Sequence, residues 1–287
     1  MPYATEENIT ELAAERWATA EPPRLAELMG ALVRHLHAFA REVHLTEDEW
    51  AAAMHWLTRT GQISDDKREE FILASDVLGL SMLVVQMNNR FGPDATPATV
   101  LGPFYIDGSP TAPFGWDMSD GAEGVPLFVH GTVRDTGGTP VGGAVLDVWQ
   151  ADSDGVYEAQ LGEVDEARLR AKYASRPDGT YCLRSVVPKG YTIPMDGPVG
   201  ELIEHTRISH FRPAHIHFLI DEPGYEKLVT HIFEAQTRYL DSDVVFGTKE
   251  ELIVPFHHHE SGAAPDGTRF DTPFATAEFD FVLQPKE

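Results

Sequence analysis

RPAHIHFLI, residues 212–220, is the stretch on which the reading of this chain turns. It is short and rich in residues that favour extended backbone. On a strand, successive side chains point to opposite faces. His215 and His217 would therefore face one way, and Ile216 and Phe218 the other. Comparable runs recur around it: LFVHGTV (127–133), AVLDVW (144–149), TYCLRSVV (180–187), ELIVPF (251–256) and FDFVL (279–283). Turn clusters such as DTGGTP (135–140) and RPDGT (176–180) separate them. Many short strands with frequent turn signals predict an antiparallel sandwich or barrel. No internal repeat is visible.

Upstream the apolar period changes from two to between three and four. Leu25, Leu28, Met29, Leu32 and Leu36 space as one helix face over about 23–42. Thr46 and Glu49 form a capping-box pattern ahead of Trp50, Met54 and Leu57. A longer helix is expected after Ser64, carrying Phe71, Ile72, Val77, Leu78 and Met82 and stopping near Phe91-Gly92-Pro93. The expected architecture is α+β: a helical module over 1–104, joined through 99–110 to a β-sandwich over 105–287.

The bulk numbers exclude some partners. The 287 residues carry 22 Lys and Arg against 46 Asp and Glu, a formal charge of 22 − 46 = −24. No basic surface is on hand to neutralise phosphates, which argues against nucleic acid and anionic membranes. Apolar content of 42% is enough for a packed core. No apolar run reaches the roughly 18 residues a membrane span needs, and the first ten residues, MPYATEENIT, lack the form of a signal peptide. Cys182 is the single cysteine, so no internal disulfide can form; a small core residue in a cytoplasmic protein is the expectation.

Two imidazoles on one strand face, two residues apart, can reach one metal ion. An H-x-H pair by itself is more often structural. The run His257-His258-His259 is a rival, but consecutive side chains on extended backbone diverge, and an exposed loop is expected there. There is no HExxH, no Cys pair and no EF-hand loop. Tyr157, after the turn DSDG, and Tyr191, in the Pro- and Gly-rich VPKGYTIPMDGP, stand out as possible anionic ligands. A phenol titrates near 10, yet a trivalent cation can hold it as phenolate. Two phenolates would favour Fe(III) over Fe(II).

The order Tyr157, Tyr191, then R-P-A-H-x-H resembles the intradiol ring-cleavage dioxygenases of the catechol 1,2-dioxygenase group. The likeness extends along nearly the whole chain. LGPFYIDGSP (101–110) is similar to that family's substrate loop, GAVLDVWQADSDGVYE (143–158) to its first ligand segment, VVPKGYTIPMDGPVG (186–200) to its second, and RPAHIHF to its histidine strand. The resemblance implies one Fe(III) per subunit held by Tyr157, Tyr191, His215 and His217, with Tyr191 and His215 axial and Tyr191 leaving when substrate binds. Arg212 would stabilise negative charge on the substrate, and no nicotinamide or flavin would be needed. A homodimer through the N-terminal helices is implied, and a lipid in that interface is allowed.

Three segments, VTHIF (229–233), YTIPMDGPVG (191–200) and YLDSDVVFGTKE (239–250), look like the subgroup that cleaves hydroxyquinol, benzene-1,2,4-triol. The implied pocket takes Leu73 and Asp76 from the helix and Val100, Leu101, Gly102, Pro103 and Phe104 from the junction. Ile193, Pro194, Arg212 and Val245 complete it, with His231 standing where plain catechol enzymes tend to have Gln. Asp76 interrupts the apolar run ILASDVLGL (72–80); it is either a solvent-facing or capping Asp or an acceptor for the extra ring hydroxyl. Catechol or chlorocatechol cleavage remains an alternative. So do a non-catalytic transthyretin-like sandwich and an Fe(II) site of two His and one carboxylate.

Overall fold

The computed structural model describes residues 3–65, 68–161 and 167–286. Its compact units are Met1–Arg59 and Thr60–Glu287. The helices are α1 (Ile9–Trp17), α2 (Pro23–Glu42), α3 (Glu47–Ile63), α4 (Glu70–Val77), α5 (Leu80–Asn88) and α6 (Pro198–Glu204). The capping box forms as read: Thr46 N–H and Oγ1 donate to Glu49 at 2.9 Å each, and Glu49 N–H donates back. The single long helix expected after Ser64 is instead two short ones. Gly79 adopts φ +73, and α4 and α5 meet there at 79°. Within the first unit, Leu25, Leu28, Leu32, Leu36 and Phe39 form one exposed stripe along α2. Among the described residues no single helix is long and apolar enough to cross a membrane; α4 and α5 reach that length and apolar composition only together, across their bend.

Strands follow in chain order: β1 (Pro126–Asp135), β2 (Val145–Gln150), β3 (Arg170–Ala174), β4 (Thr180–Val186), β5 (Tyr191–Thr192), β6 (Phe211–Arg212), β7 (His215–Asp221) and β8 (Leu228–Glu234). After these come β9 (Ile253–Val254), β10 (His257–His259), β11 (Gly262–Ala263), β12 (Arg269–Phe270), β13 (Phe274–Glu278) and β14 (Phe281–Leu283). One five-stranded sheet runs β10-β13-β1-β14 with β4 also on β1; the other runs β3-β2-β7-β8-β9. The sheets are mixed, not purely antiparallel, because β13 and β14 pair parallel to β1 and β9 parallel to β8. His257–His259 is exposed as expected, but as a strand at the sheet edge and not a loop; its backbone pairs with β13.

A sandwich core lies between these sheets. Leu127, Val129 and Leu183 from one meet Leu146, Val148, Ile216, Phe218 and Ile232 from the other. Because Ile216, Phe218 and Ile220 point inward, the intervening His215 and His217 point out of the sandwich, as period-two alternation requires. Cys182 is a buried free thiol, packed with Phe128 and Phe274 on the far sheet.

Candidate metal centre

The site grows from the outer face of the β3-β2-β7-β8-β9 sheet. In register, Trp149 on β2 stands opposite His217, and His217 stands opposite His231 on β8. Trp149 stacks on the His217 ring (4.6 Å between centroids, 16° between planes), and His231 closes on it from the other side at 4.1 Å. His217 is thus clamped along its own row. The Tyr157 segment leaves β2 by the turn 152–155, and Phe104 from the junction stacks on the Tyr157 ring at 4.4 Å. Gln160 returns its side chain to the Tyr157 N–H, and the Glu158–Arg170 ion pair (2.5 Å) anchors the segment. Tyr191 on β5 pairs directly with Arg212 on β6, which sets both beside the histidine strand.

Three side-chain atoms converge. Tyr157 Oη lies 3.3 Å from His215 Nε2 and 3.1 Å from His217 Nε2, and the two ring nitrogens are 3.2 Å apart. Bonds of about 2.1 Å to one cation, at angles of roughly 90–109°, would set ligand atoms about 3.0–3.4 Å apart. The triangle has those dimensions. The Tyr191 ring borders it, 5.4 Å from Tyr157 and 5.6 Å from His215 between centroids. His215 Nδ1 sits 2.6 Å from the Pro213 carbonyl, which can only accept, so Nδ1 carries the proton and Nε2 presents a lone pair to the centre.

Electrostatics agree with a cation site. Burial pushes the His215, His217 and His231 imidazoles well below their usual range, with Arg212 adding to it, so all three are neutral and able to ligate. Burial, then the neighbouring Tyr191, drives the Tyr157 hydroxyl well above the ordinary phenol range. A phenolate there therefore needs a cation beside it. His215, His217 and His231 also form a group whose ligand nitrogens all lie within 4.8 Å of one another. That group contains no carboxylate among the described residues, which disfavours the two-His-one-carboxylate arrangement.

Arg212 is 3% exposed. Burial opposes its charge, but Asp243 and then Tyr191 outweigh that and keep it firmly cationic. Asp243 takes its Nε at 3.2 Å and also accepts the Gly247 N–H at 3.0 Å. Nη1 of Arg212 is left facing His215 Nε2 at 3.1 Å.

The pocket set read from the sequence comes together around Tyr191, with two exceptions. Leu73, Asp76, Val100, Gly102, Pro103, Phe104, Ile193, Pro194, Arg212 and Val245 line one cavity of about 10 Å³. Leu101 lines a neighbouring cavity, which Asp76 shares. His231 is not among the residues lining that cavity; its ring packs against His217 and His215. Asp76 is 2% exposed with Oδ1 unpartnered; it is neither solvent-facing nor a cap. Sequence reasoning missed Thr99, Trp149 and Asp243. Trp149 alternates with the core residue Val148 and could have been placed by that; Thr99 and Asp243 sit in irregular segments that carry no such signal.

Comparison with known proteins agrees along the chain. Residues 22–96 match the family described as catechol dioxygenase N terminus, and residues 100–285 the family described as dioxygenase. The chain is 45% identical to hydroxyquinol 1,2-dioxygenase of Nocardioides simplex over 98% of its length and 96% of the relative's. It is 47% identical to 6-chlorohydroxyquinol 1,2-dioxygenase of Cupriavidus pinatubonensis, over 97% of each. The crystal structure of hydroxyquinol 1,2-dioxygenase from Pseudomonas putida superimposes with a TM-score of 0.89 at 44% identity, covering 98% of this chain and 99% of that one.

Proposed function

The chain belongs to the intradiol ring-cleavage dioxygenases, and from that footing we propose that it opens benzene-1,2,4-triol at an iron(III) ion held by Tyr157, Tyr191, His215 and His217, one ion per subunit. The observation that carries this is the triangle of Tyr157 Oη, His215 Nε2 and His217 Nε2, sized for a single cation and bordered by Tyr191. Two phenols and two neutral imidazoles can supply a charge of −2, which suits ferric iron. When bound, the iron supplies chelation of the adjacent hydroxyl oxygens and activation of the ring toward O2. Both oxygen atoms then enter the product, 3-hydroxy-cis,cis-muconate or its keto form maleylacetate.

The chain's own residues do the remainder. Tyr191 lines the cavity over the site and borders the triangle, and the resemblance to the family makes it the ligand that gives way when the diol binds. Departing as a neutral phenol, Tyr191 carries away one of the two protons that the diol must lose. Arg212, itself buried and held by Asp243, offers Nη1 to negative charge developing on the substrate. Asp76 offers its unpaired Oδ1 to the third hydroxyl.

The exposed apolar stripe of α2 supports a homodimer through the N-terminal helices. A lone buried thiol with no disulfide partner suits a reducing cytoplasm. The purified protein should absorb broadly in the visible from phenolate-to-iron charge transfer, and the band should change when triol is added without O2. A preparation that stays colourless and inactive after iron loading would refute the assignment.

A further inference from the structure

His231 is the one histidine of the buried trio that the four-ligand reading leaves without a task. Its ring is buried completely, against His217 at 4.1 Å and His215 at 5.1 Å. Nε2 has no hydrogen-bond partner, while its ligand nitrogen lies within 4.8 Å of those of His215 and His217. Position alone would permit a third histidine ligand. Which nitrogen carries the proton decides the matter, and the partner of Nδ1 decides that.

That partner is the hydroxyl of Thr99. Thr99 is 1% exposed, and its N–H donates to the Val229 carbonyl at 2.8 Å, which fixes the residue against β8. Among the described residues the Thr99 hydroxyl has no acceptor other than His231 Nδ1. A buried hydroxyl with a single acceptor in reach gives its proton to it. His231 Nδ1 then accepts, and Nε2 carries hydrogen. The contrast with His215 is direct: there a carbonyl takes the Nδ1 proton and bares Nε2.

We propose that Thr99 fixes His231 as an Nε2–H donor, so that His231 gives a hydrogen bond to an oxygen of the bound diol and is not a third histidine ligand. Thr99 is a positioning residue acting through His231. The inference rests on the two-tyrosine, two-histidine reading above.

The test uses the full chain labelled with 15N at histidine and loaded with gallium(III), a diamagnetic ion of ferric charge. Side-chain nitrogen spectra should show a protonated Nε2 and a bare Nδ1 for His231, its signals assigned by their loss in His231→Gln. A protonated Nδ1 in the wild-type protein would overturn the proposal. This readout does not depend on the substrate, so a wild-type enzyme inert toward the triol would discredit the proposed function without touching the tautomer. In the iron enzyme, Thr99→Val should lower kcat/KM for the triol by about 10-fold, as a lost hydrogen bond to a charged group does, while Thr99→Ser restores most of it. A side-chain amide donates without help from Thr99. Adding Thr99→Val to His231→Gln should therefore cost less than about 2-fold more. Equal losses in the Val and Ser variants, or an undiminished loss in the Gln background, would mean that Thr99 only supports packing.

Discussion

Replacing Asp76 by Ala should abolish most of the preference for benzene-1,2,4-triol over catechol. The carboxylate is 2% exposed, lines the cavity beside Arg212, and leaves Oδ1 without a partner. Burial raises its pKa above the ordinary carboxylate range, and Ser81 and Arg212 pull it only partly back. A third ring hydroxyl donating to Oδ1 would stabilise the bound triol by about 1.5–3 kcal/mol, or roughly 10- to 150-fold in kcat/KM. Catechol leaves that oxygen unpaired. In Asp76→Ala the ratio of the two efficiencies should fall toward one, mainly through loss on the triol, read as O2 uptake with each substrate. An unchanged ratio with both rates falling together would refute the reasoning and leave Asp76 a structural residue. A wild-type enzyme that prefers catechol would overturn the substrate assignment alone. Stability supplies an independent check with the near-isosteric Asp76→Asn. Because the folded-state pKa lies above the unfolded value, wild type carries a penalty that grows as pH rises through the folded value and vanishes below the unfolded one. The Asn variant should therefore melt higher than wild type at pH 7, and the gap should close on acidification. A gap that widens in acid would contradict the burial argument.

Tyr157→Phe, His215→Ala and His217→Ala should each lose iron, measured by elemental analysis, because each removes one of the four proposed protein ligands; Tyr191→Phe should keep part of it, since on that proposal the Tyr191 ligand departs on binding, and full retention in any of the first three removes that residue from the metal. Gly102→Ala should lower activity about 10-fold and weaken iron retention: the backbone there has φ +80 and an added Cβ would lie 3.1 Å from His217 Cε1. Wild-type-like iron content and turnover would show that the clamp on His217 tolerates the methyl group. The protein should be a homodimer by light scattering at micromolar concentration, and the double variant Leu32→Glu, Leu36→Glu should be monomeric; native mass spectrometry reads the dimer and any lipid it carries, and a monomeric wild type removes the interface.

How much of this was legible in the chain depends on whether a feature repeats along it. His215 and His217 could be set on one face because strand alternation is strictly two, and the inward Ile216 and Phe218 hold that phase against the core. The same rule misled nobody about His257–His259, whose side chains are exposed, but it could not show that their backbone pairs at a sheet edge, since pairing is a property of two segments. The parallel pairings of β13 and β14 to β1 were hidden for that reason too. The bend between α4 and α5 was missed differently: apolar spacing continues through Leu78 and Leu80, and the left-handed Gly79 between them reads as an ordinary interior glycine.

The site divides along the same line. Tyr157 and Tyr191 stand 34 positions apart, 191 − 157, in turn-rich segments with no period, and only the resemblance joined them to the histidines before Phe104 and β5 set them side by side. Thr99 and Asp243 had no resemblance to point at them. Each acts through a neighbour's proton or charge, on a side chain far along the chain: Thr99 on His231, Asp243 on Arg212. Such partners are chosen by which atoms remain unsatisfied once the sheets have closed. That choice becomes visible only when every donor and acceptor has a place, which is why the proposed ligands were the accessible part of this centre and the partners that orient them were not.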